Sequence, residues 1–181
     1  MITRLNEDFT LDTSFGNNGH VLHDVVIDGV SRGNQAPEMA EQSDGKIVML
    51  GHKGTQGWYG RFNFDGSLDQ TYANGGETIL DTSPLGKNYF TSLLIDAEDN
   101  AYIAGDSGTD AGDTEIVILK LDSDGVPVQS FGPDGLLRFD LTSANEFADI
   151  ALIPWATLSW AEQATASPMG RVSSPAFHPT A

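Results

Sequence analysis

The sequence predicts an all-β protein of four-stranded antiparallel blades of β-propeller type, incomplete, with two copies of a unit and the start of a third. Three observations carry this expectation. Two blocks recur in register along the chain, β-branched and aromatic runs have the length of strands, and Asp-Gly pairs separate several of the runs.

The repeat comes first. Asn6-Glu7-Asp8-Phe9-Thr10-Leu11-Asp12-Thr13-Ser14-Phe15 returns 57 positions later as Asn63-Phe64-Asp65-Gly66-Ser67-Leu68-Asp69-Gln70-Thr71-Tyr72. It returns again, 59 positions on, as Asp122-Ser123-Asp124-Gly125-Val126-Pro127-Val128-Gln129-Ser130-Phe131. Each copy then runs to a glycine, at Gly19, Gly76 and Gly135. A second block, Ser43-Asp44-Gly45-Lys46-Ile47-Val48-Met49-Leu50-Gly51, matches Ala97-Glu98-Asp99-Asn100-Ala101-Tyr102-Ile103-Ala104-Gly105 at a shift of 54. Two blocks recurring in the same order mark a true repeat, with units at about 11–67, 68–126 and a partial 127–153.

The strands follow from composition within each unit. In the first copy they are expected near His20–Val26, Ala36–Gln42, Lys46–Gly51 and Trp58–Phe64, and in the second near Glu77–Asp81, Tyr89–Ile95, Asn100–Gly105 and Glu115–Leu121. Ser43-Asp44-Gly45 and Ala97-Glu98-Asp99-Asn100 fall where a tight hairpin needs positive φ. The stretch Phe64–Asp69 is read as the link from one unit to the next, seated by Leu11, Phe15, Leu68, Tyr72 and Phe131. Four antiparallel strands repeated in series are the pattern of propeller blades.

These motifs resemble a known family. Leu11-Asp12-Thr13-Ser14-Phe15-Gly16-Asn17-Asn18-Gly19, Gln42-Ser43-Asp44-Gly45-Lys46-Ile47-Val48 and Arg61-Phe62-Asn63-Phe64-Asp65-Gly66-Ser67-Leu68-Asp69 are similar to the delta-60 repeat of bacterial proteins, whose pattern runs LDxSFGxxG, QxDGKIVVAG, RxNxDGSLD. The resemblance covers about residues 4–153. The second copy departs from it, with Ala73 for Gly and Asp99-Asn100 for Gly-Lys. The resemblance implies propeller-type modules in large, often exported or surface-associated chains, and it brings no general enzymatic activity. The chain is accordingly expected to be a fragment of a larger bacterial surface or secreted protein.

Composition changes at residue 154. Residues 154–181 hold only one of the 20 glycines and one of the 26 acids, but four of the eight prolines and two of the three tryptophans. The repeat stops where Ala151-Leu152-Ile153-Pro154 should lead into the second block. A one-base shift of reading frame explains the break. Tryptophan and methionine have single codons, so Trp155-Ala156, Trp160-Ala161 and Met169-Gly170 each force a glycine in the shifted frame. The remaining codons allow LGNIVVGGAGNGEPDG followed by ARLIASFSPDG, which restores the missing hairpin and a linker. The alternative is a naturally disordered terminus rich in Ala, Ser and Pro, and either reading leaves the tail without strand signals.

Charge and motifs narrow the function. A formal charge of −17, from 26 acids against 9 bases, repels phosphate backbones and argues against nucleic acid. No apolar run approaches the length of a membrane helix, so no membrane insertion is expected. The opening MITRLNEDFTLD has no signal-peptide core, so an extracellular or surface location rests on the family resemblance alone. Without cysteine there is neither a disulfide nor a thiolate site. His20, His23 and His52 form no zinc pattern, and Ser14 and Ser130 have no nucleophile-elbow context, so no catalytic residue is assigned and the chain is not expected to be an enzyme.

Carboxylates are the one chemistry-bearing group. Asp65, Asp69, Asp122 and Asp124 place hard oxygens at alternating turn positions, which suits calcium, although no EF-hand spacing is present. The same residues also serve as Asx turns beside glycine. Two functions therefore stand: a scaffold presenting its surface to a protein or glycan, and a calcium-stabilised surface or adhesion module. No other cofactor is expected. An unclosed stack should also leave apolar faces open at its ends, with Ile47, Met49, Phe62, Ile103, Ile116, Ile118 and Phe139 contributing, and self-association would cover them.

Overall fold

A computed structural model describes residues 1–23, 26–27, 30–31, 35–53, 56–80, 87–108, 114–140, 147–153 and 157–162. In chain order the strands are β1 (Ile2–Thr3), β2 (His20–Val21), β3 (Val26–Ile27), β4 (Val30–Ser31), β5 (Gln35–Glu41), β6 (Ile47–Lys53), β7 (Gln56–Phe62) and β8 (Glu77–Leu80). They continue as β9 (Lys87–Ile95), β10 (Ala101–Gly108), β11 (Thr114–Leu121), β12 (Leu136–Phe139), β13 (Phe147–Ile153) and β14 (Thr157–Glu162). The described residues contain no α-helix, only a single 3-10 turn at Pro133–Gly135.

Two four-stranded antiparallel sheets dominate, ordered β5-β6-β7-β8 and β9-β10-β11-β12. Two-stranded sheets, β1-β2 and β13-β14, lie toward the chain ends, and β3-β4 is a short separate pair. The hairpins at 43–45 and 96–99 join second-block strands as expected, with Gly45 at φ 80 and Asp99 at φ 63.

The membership of each sheet differs from the sequence expectation. Residues His20–Val26 and Glu77–Asp81 were expected to open their own units; the structure pairs β8 with β7 and β2 with β1. The stretch Phe64–Asp69 is therefore part of a long loop within one sheet, not the link between sheets. The cause lies in the loop itself. The amide of Asp69 donates to the Arg61 carbonyl (2.8 Å), that of Gly76 to Tyr72 (2.7 Å), and that of Arg61 to Gly76 (3.0 Å), which turns the chain back antiparallel onto β7. The passages from each complete sheet to the next fall at 81–86 and 141–146, outside the described residues.

Apolar runs in β6, β10 and β11 are continuous because both faces of these sheets are covered. Val48, Leu50, Tyr59 and Leu80 of the first sheet meet Phe90, Ala101, Ile103, Val117, Leu119 and Leu121 of the second, with Tyr72 among them. On its other face the first sheet buries Met49, Trp58 and Phe62 beneath Ile2 and Phe15. The second sheet buries Tyr102, Ala104, Ile116 and Ile118 with Ile150 of β13.

This arrangement corrects the expectation of open faces. Met49, Phe62, Ile103, Ile116 and Ile118 are all buried, and Ile47 and Phe139 are half-buried. The short sheets are the reason: β1-β2 with Phe15 covers one face, and β13 covers the other, tied down by the Ser92 hydroxyl donating to Asp149 Oδ1 (2.6 Å). The tail also departs from expectation. Thr157–Glu162 forms a strand antiparallel to β13, with Ile153 opposite Thr157 and Ile150 opposite Trp160. Thr157, Leu158 and Trp160 suit a pleated edge despite the alanine-rich surroundings.

Candidate functional site: the stacked loops

The loops that close β1 onto β2, β7 onto β8 and β11 onto β12 occupy equivalent places, and the first two share one set of contacts. In the first, Arg4 Nε donates to Asp12 Oδ2 (2.7 Å), and the guanidinium lies over the Phe15 ring (4.7 Å). In the second, Arg61 Nε donates to Asp69 Oδ2 (2.8 Å), with the guanidinium over Tyr72 (4.4 Å). Both carboxylates turn their other oxygen into the loop. Asp12 Oδ1 accepts from the Ser14 amide and hydroxyl, and Asp69 Oδ1 from those of Thr71.

Each arginine also reaches forward into the following loop. Arg4 Nη1 donates to the Phe64 carbonyl, and Arg61 Nη1 donates to the equivalent Ser123 carbonyl (2.7 Å). The backbone repeats the link: the Gly16 amide donates to Asp65 O (2.7 Å), and the Ala73 amide to Asp124 O (2.7 Å). Fully buried Phe15 and Tyr72 then rest against the glycine of the next Asp-Gly turn. A Cβ on Gly66 would come within 2.6 Å of Val21 and 3.1 Å of the Phe15 ring; one on Gly125 would come within 2.7 Å of the Tyr72 ring. Positive φ, at 87° and 83°, also requires glycine there.

Around Arg61 this becomes a buried polar network. Gln42 Oε1 accepts from Arg61 (2.9 Å), while Gln42 Nε2 donates to the carbonyls of Asp99 (2.8 Å) and Ser123 (3.2 Å). The Ser43 amide and hydroxyl donate to the Asp99 carboxylate, and Lys46 lies 3.1 Å from Asp69. The first hairpin, the second hairpin and the third loop are thereby joined. Burial alone would push the Asp69 carboxyl up; Thr71, Lys46 and Arg61 outweigh it and hold the group well below the usual carboxylate range. Burial pushes the Tyr72 phenol up, and neighbouring Tyr59, Asp122 and Asp124 add to the effect.

The same positions in the following unit have changed as a set. Gln42, Lys46, Arg61 and Asp69 are replaced by Asp96, Asn100, Lys120 and Val128. The carboxylate has moved to the hairpin, where Asp96 accepts from Asn100 (2.8 Å) and faces Lys120 (3.9 Å). Lys120 caps the Tyr102 ring (4.9 Å) instead of a loop aromatic. One carboxylate–cation pair survives although each residue type differs, and the set as a whole loses one positive charge.

The four acids considered for calcium are distributed along these loops. Asp65 Oδ1 accepts from the Ser67 amide and hydroxyl, which lower its pKa, and Asp122 Oδ1 accepts from the amides of Asp124 and Val126. Asp69 is engaged as described, and Asp124 contributes its carbonyl to Ala73. Among the described residues no group of three or more His, Asp or Glu is placed to hold a metal ion, so the structure does not gather Asp65, Asp69, Asp122 and Asp124 into one such set. The histidines are also used structurally. His23 Nε2 lies 2.7 Å from Glu77 Oε2 with its ring edge-on to Phe62, and His20 Nδ1 lies 3.0 Å from the Thr3 hydroxyl.

Sequence reading missed Gln42, Arg4 and Arg61 as the joints of the stack. The available signal was that each belongs to a repeated block and that Arg precedes Asp by eight residues in both copies. Among the described residues no helix is long and apolar enough to cross a membrane. Comparison with models of known families and with curated proteins finds no match for this chain.

Proposed function

We propose that the chain is a non-catalytic repeat scaffold that presents its stacked sheets to a protein or glycan, within a bacterial surface or secreted protein of the delta-60 type its motifs resemble. One observation supports this most directly: the charged and amide side chains of the repeated blocks bind the next repeat. Arg4, Gln42 and Arg61 all reach carbonyls of a following loop or hairpin, and Asp12 and Asp69 orient the two arginines. Such groups specify geometry, which is what a scaffold requires. The carboxylates of Asp12, Asp65, Asp69 and Asp122 already accept from donors within their own loops, which favours a structural role for these acids. Thermal melting in millimolar calcium and in chelator tests this. The scaffold reading expects the same melting temperature in both; a rise with calcium that chelator reverses would instead favour the calcium-stabilised module.

A further inference from the structure

Each junction between successive loops has two halves. The seat is an aromatic ring followed by a free-standing amide, Phe15 with Gly16 or Tyr72 with Ala73. The inserted half is an Asp-Gly turn, Asp65-Gly66 or Asp124-Gly125, which offers a carbonyl to the amide and a bare glycine to the ring. A third seat exists at Phe131 and Gly132. No described turn fills it. Phe131 is only half-buried, packed edge-on against Tyr102 at 5.8 Å, whereas Phe15 and Tyr72 are fully buried. Gly132 has φ 171, whereas the occupied seats have φ 54 at Gly16 and 47 at Ala73. Glycine is the residue that can cross between these conformations.

We infer that Phe131 and Gly132 form a seat for the Asp-Gly turn of a further repeat unit, and that Phe9 bars a second copy of this chain from supplying it. The sheets at the two ends agree with the first half of this statement. Among the described residues β13-β14 corresponds to the first two strands of a four-stranded sheet and β1-β2 to the last two, so the two pairs are complementary. Read one base out of phase, the codons of residues 154–181 allow an ending in Ser-Pro-Asp-Gly, a turn of the required kind. The second half rests on Phe9. It occupies the place of Gly66 and Gly125, with φ 64 and 85% of its surface exposed. At the equivalent glycines a Cβ alone would meet Val21 at 2.6 Å or the Tyr72 ring at 2.7 Å. Phe9 therefore carries its side chain into the space a seat's ring must fill. Apart from that residue, β1-β2 and β13-β14 are the complementary halves of one sheet, a head-to-tail contact that need not close.

Sedimentation velocity over a range of concentrations tests this with the full chain, Phe9→Gly, Phe9→Ala and the double variant Phe9→Gly/Phe131→Ala. The wild type and Phe9→Ala should stay at monomer mass, because Ala keeps the Cβ. Phe9→Gly should associate into dimers and longer species as concentration rises, and Phe131→Ala should return it to monomer. Circular dichroism checks that the sheets persist; where Phe131→Ala loses them, Phe131→Leu keeps an apolar contact with Tyr102 and replaces it. A Phe9→Gly chain that remains monomeric overturns the inference. So does a wild type that associates and is released by Phe9→Ala, since Phe9 would then be a contact rather than a block.

Discussion

Asp69 shows how a single carboxylate can hold together several chain segments. It lies almost fully buried between Arg61 and Lys46, with Thr71 on its second oxygen. Removing it strands a buried guanidinium, so Asp69→Ala should cost about 3 kcal/mol in urea denaturation. The equivalent Asp12 is half-buried, its side chain 19% exposed against 6% for Asp69, and Asp12→Ala should cost less. Because the folded Asp69 carboxyl titrates below its ordinary 3.8, the stability it contributes is present above about pH 5 and is lost as pH falls through 4 and below. Asp69→Asn should flatten the acid limb of a stability-versus-pH curve. The two buried phenols give a second contrast. The Tyr59 hydroxyl donates to Gly125 O (2.9 Å), whereas the Tyr72 hydroxyl has no partner among the described residues. Tyr59→Phe should lose about 1 kcal/mol, and Tyr72→Phe should be neutral or stabilising.

Among the elements, the loops carry more of the specificity than the strands. Gly125→Ala must both hold positive φ and push into the Tyr72 ring, while Gly75→Ala meets nothing within 4 Å at a similar φ of 78. Gly75→Ala should cost about 1 kcal/mol from backbone strain, and Gly125→Ala at least twice that, read as a difference in melting temperature. The strands were legible in the sequence because β-branched runs such as Ile116-Val117-Ile118-Leu119 have little alternative to a sheet covered on both faces. The hairpin turns were legible from Asp-Gly. Which strand completes which sheet was not. Glu77–Leu80 has the same composition whether it opens one sheet or closes another; the choice is made by hydrogen bonds of Gly76 and Asp69 that leave no mark in hydropathy. Thr157–Glu162 was missed for the opposite reason, since its surroundings dilute a short β-forming run.

For the whole molecule, two complete sheets are enclosed between two partial ones, and the polar joints run along one side of the stack. Gln42 is the residue that ties most of these levels together, since one side chain reaches hairpin, arginine and the next loop across 57 and 81 positions of sequence. The candidate site was visible only in outline. Its acids stood out as calcium ligands, whereas their partners Gln42 and Arg61 look like ordinary surface residues until the sheets are stacked. Native-state hydrogen exchange on the wild type and Gln42→Ala tests the account most directly. If repeated side chains clamp successive repeats together, Gln42→Ala should speed exchange not only at 42–46 but also at 96–100 and 122–126, with β6 and β11 still the slowest strands. Faster exchange confined to 42–46 would contradict the clamp and leave the stack to apolar burial alone.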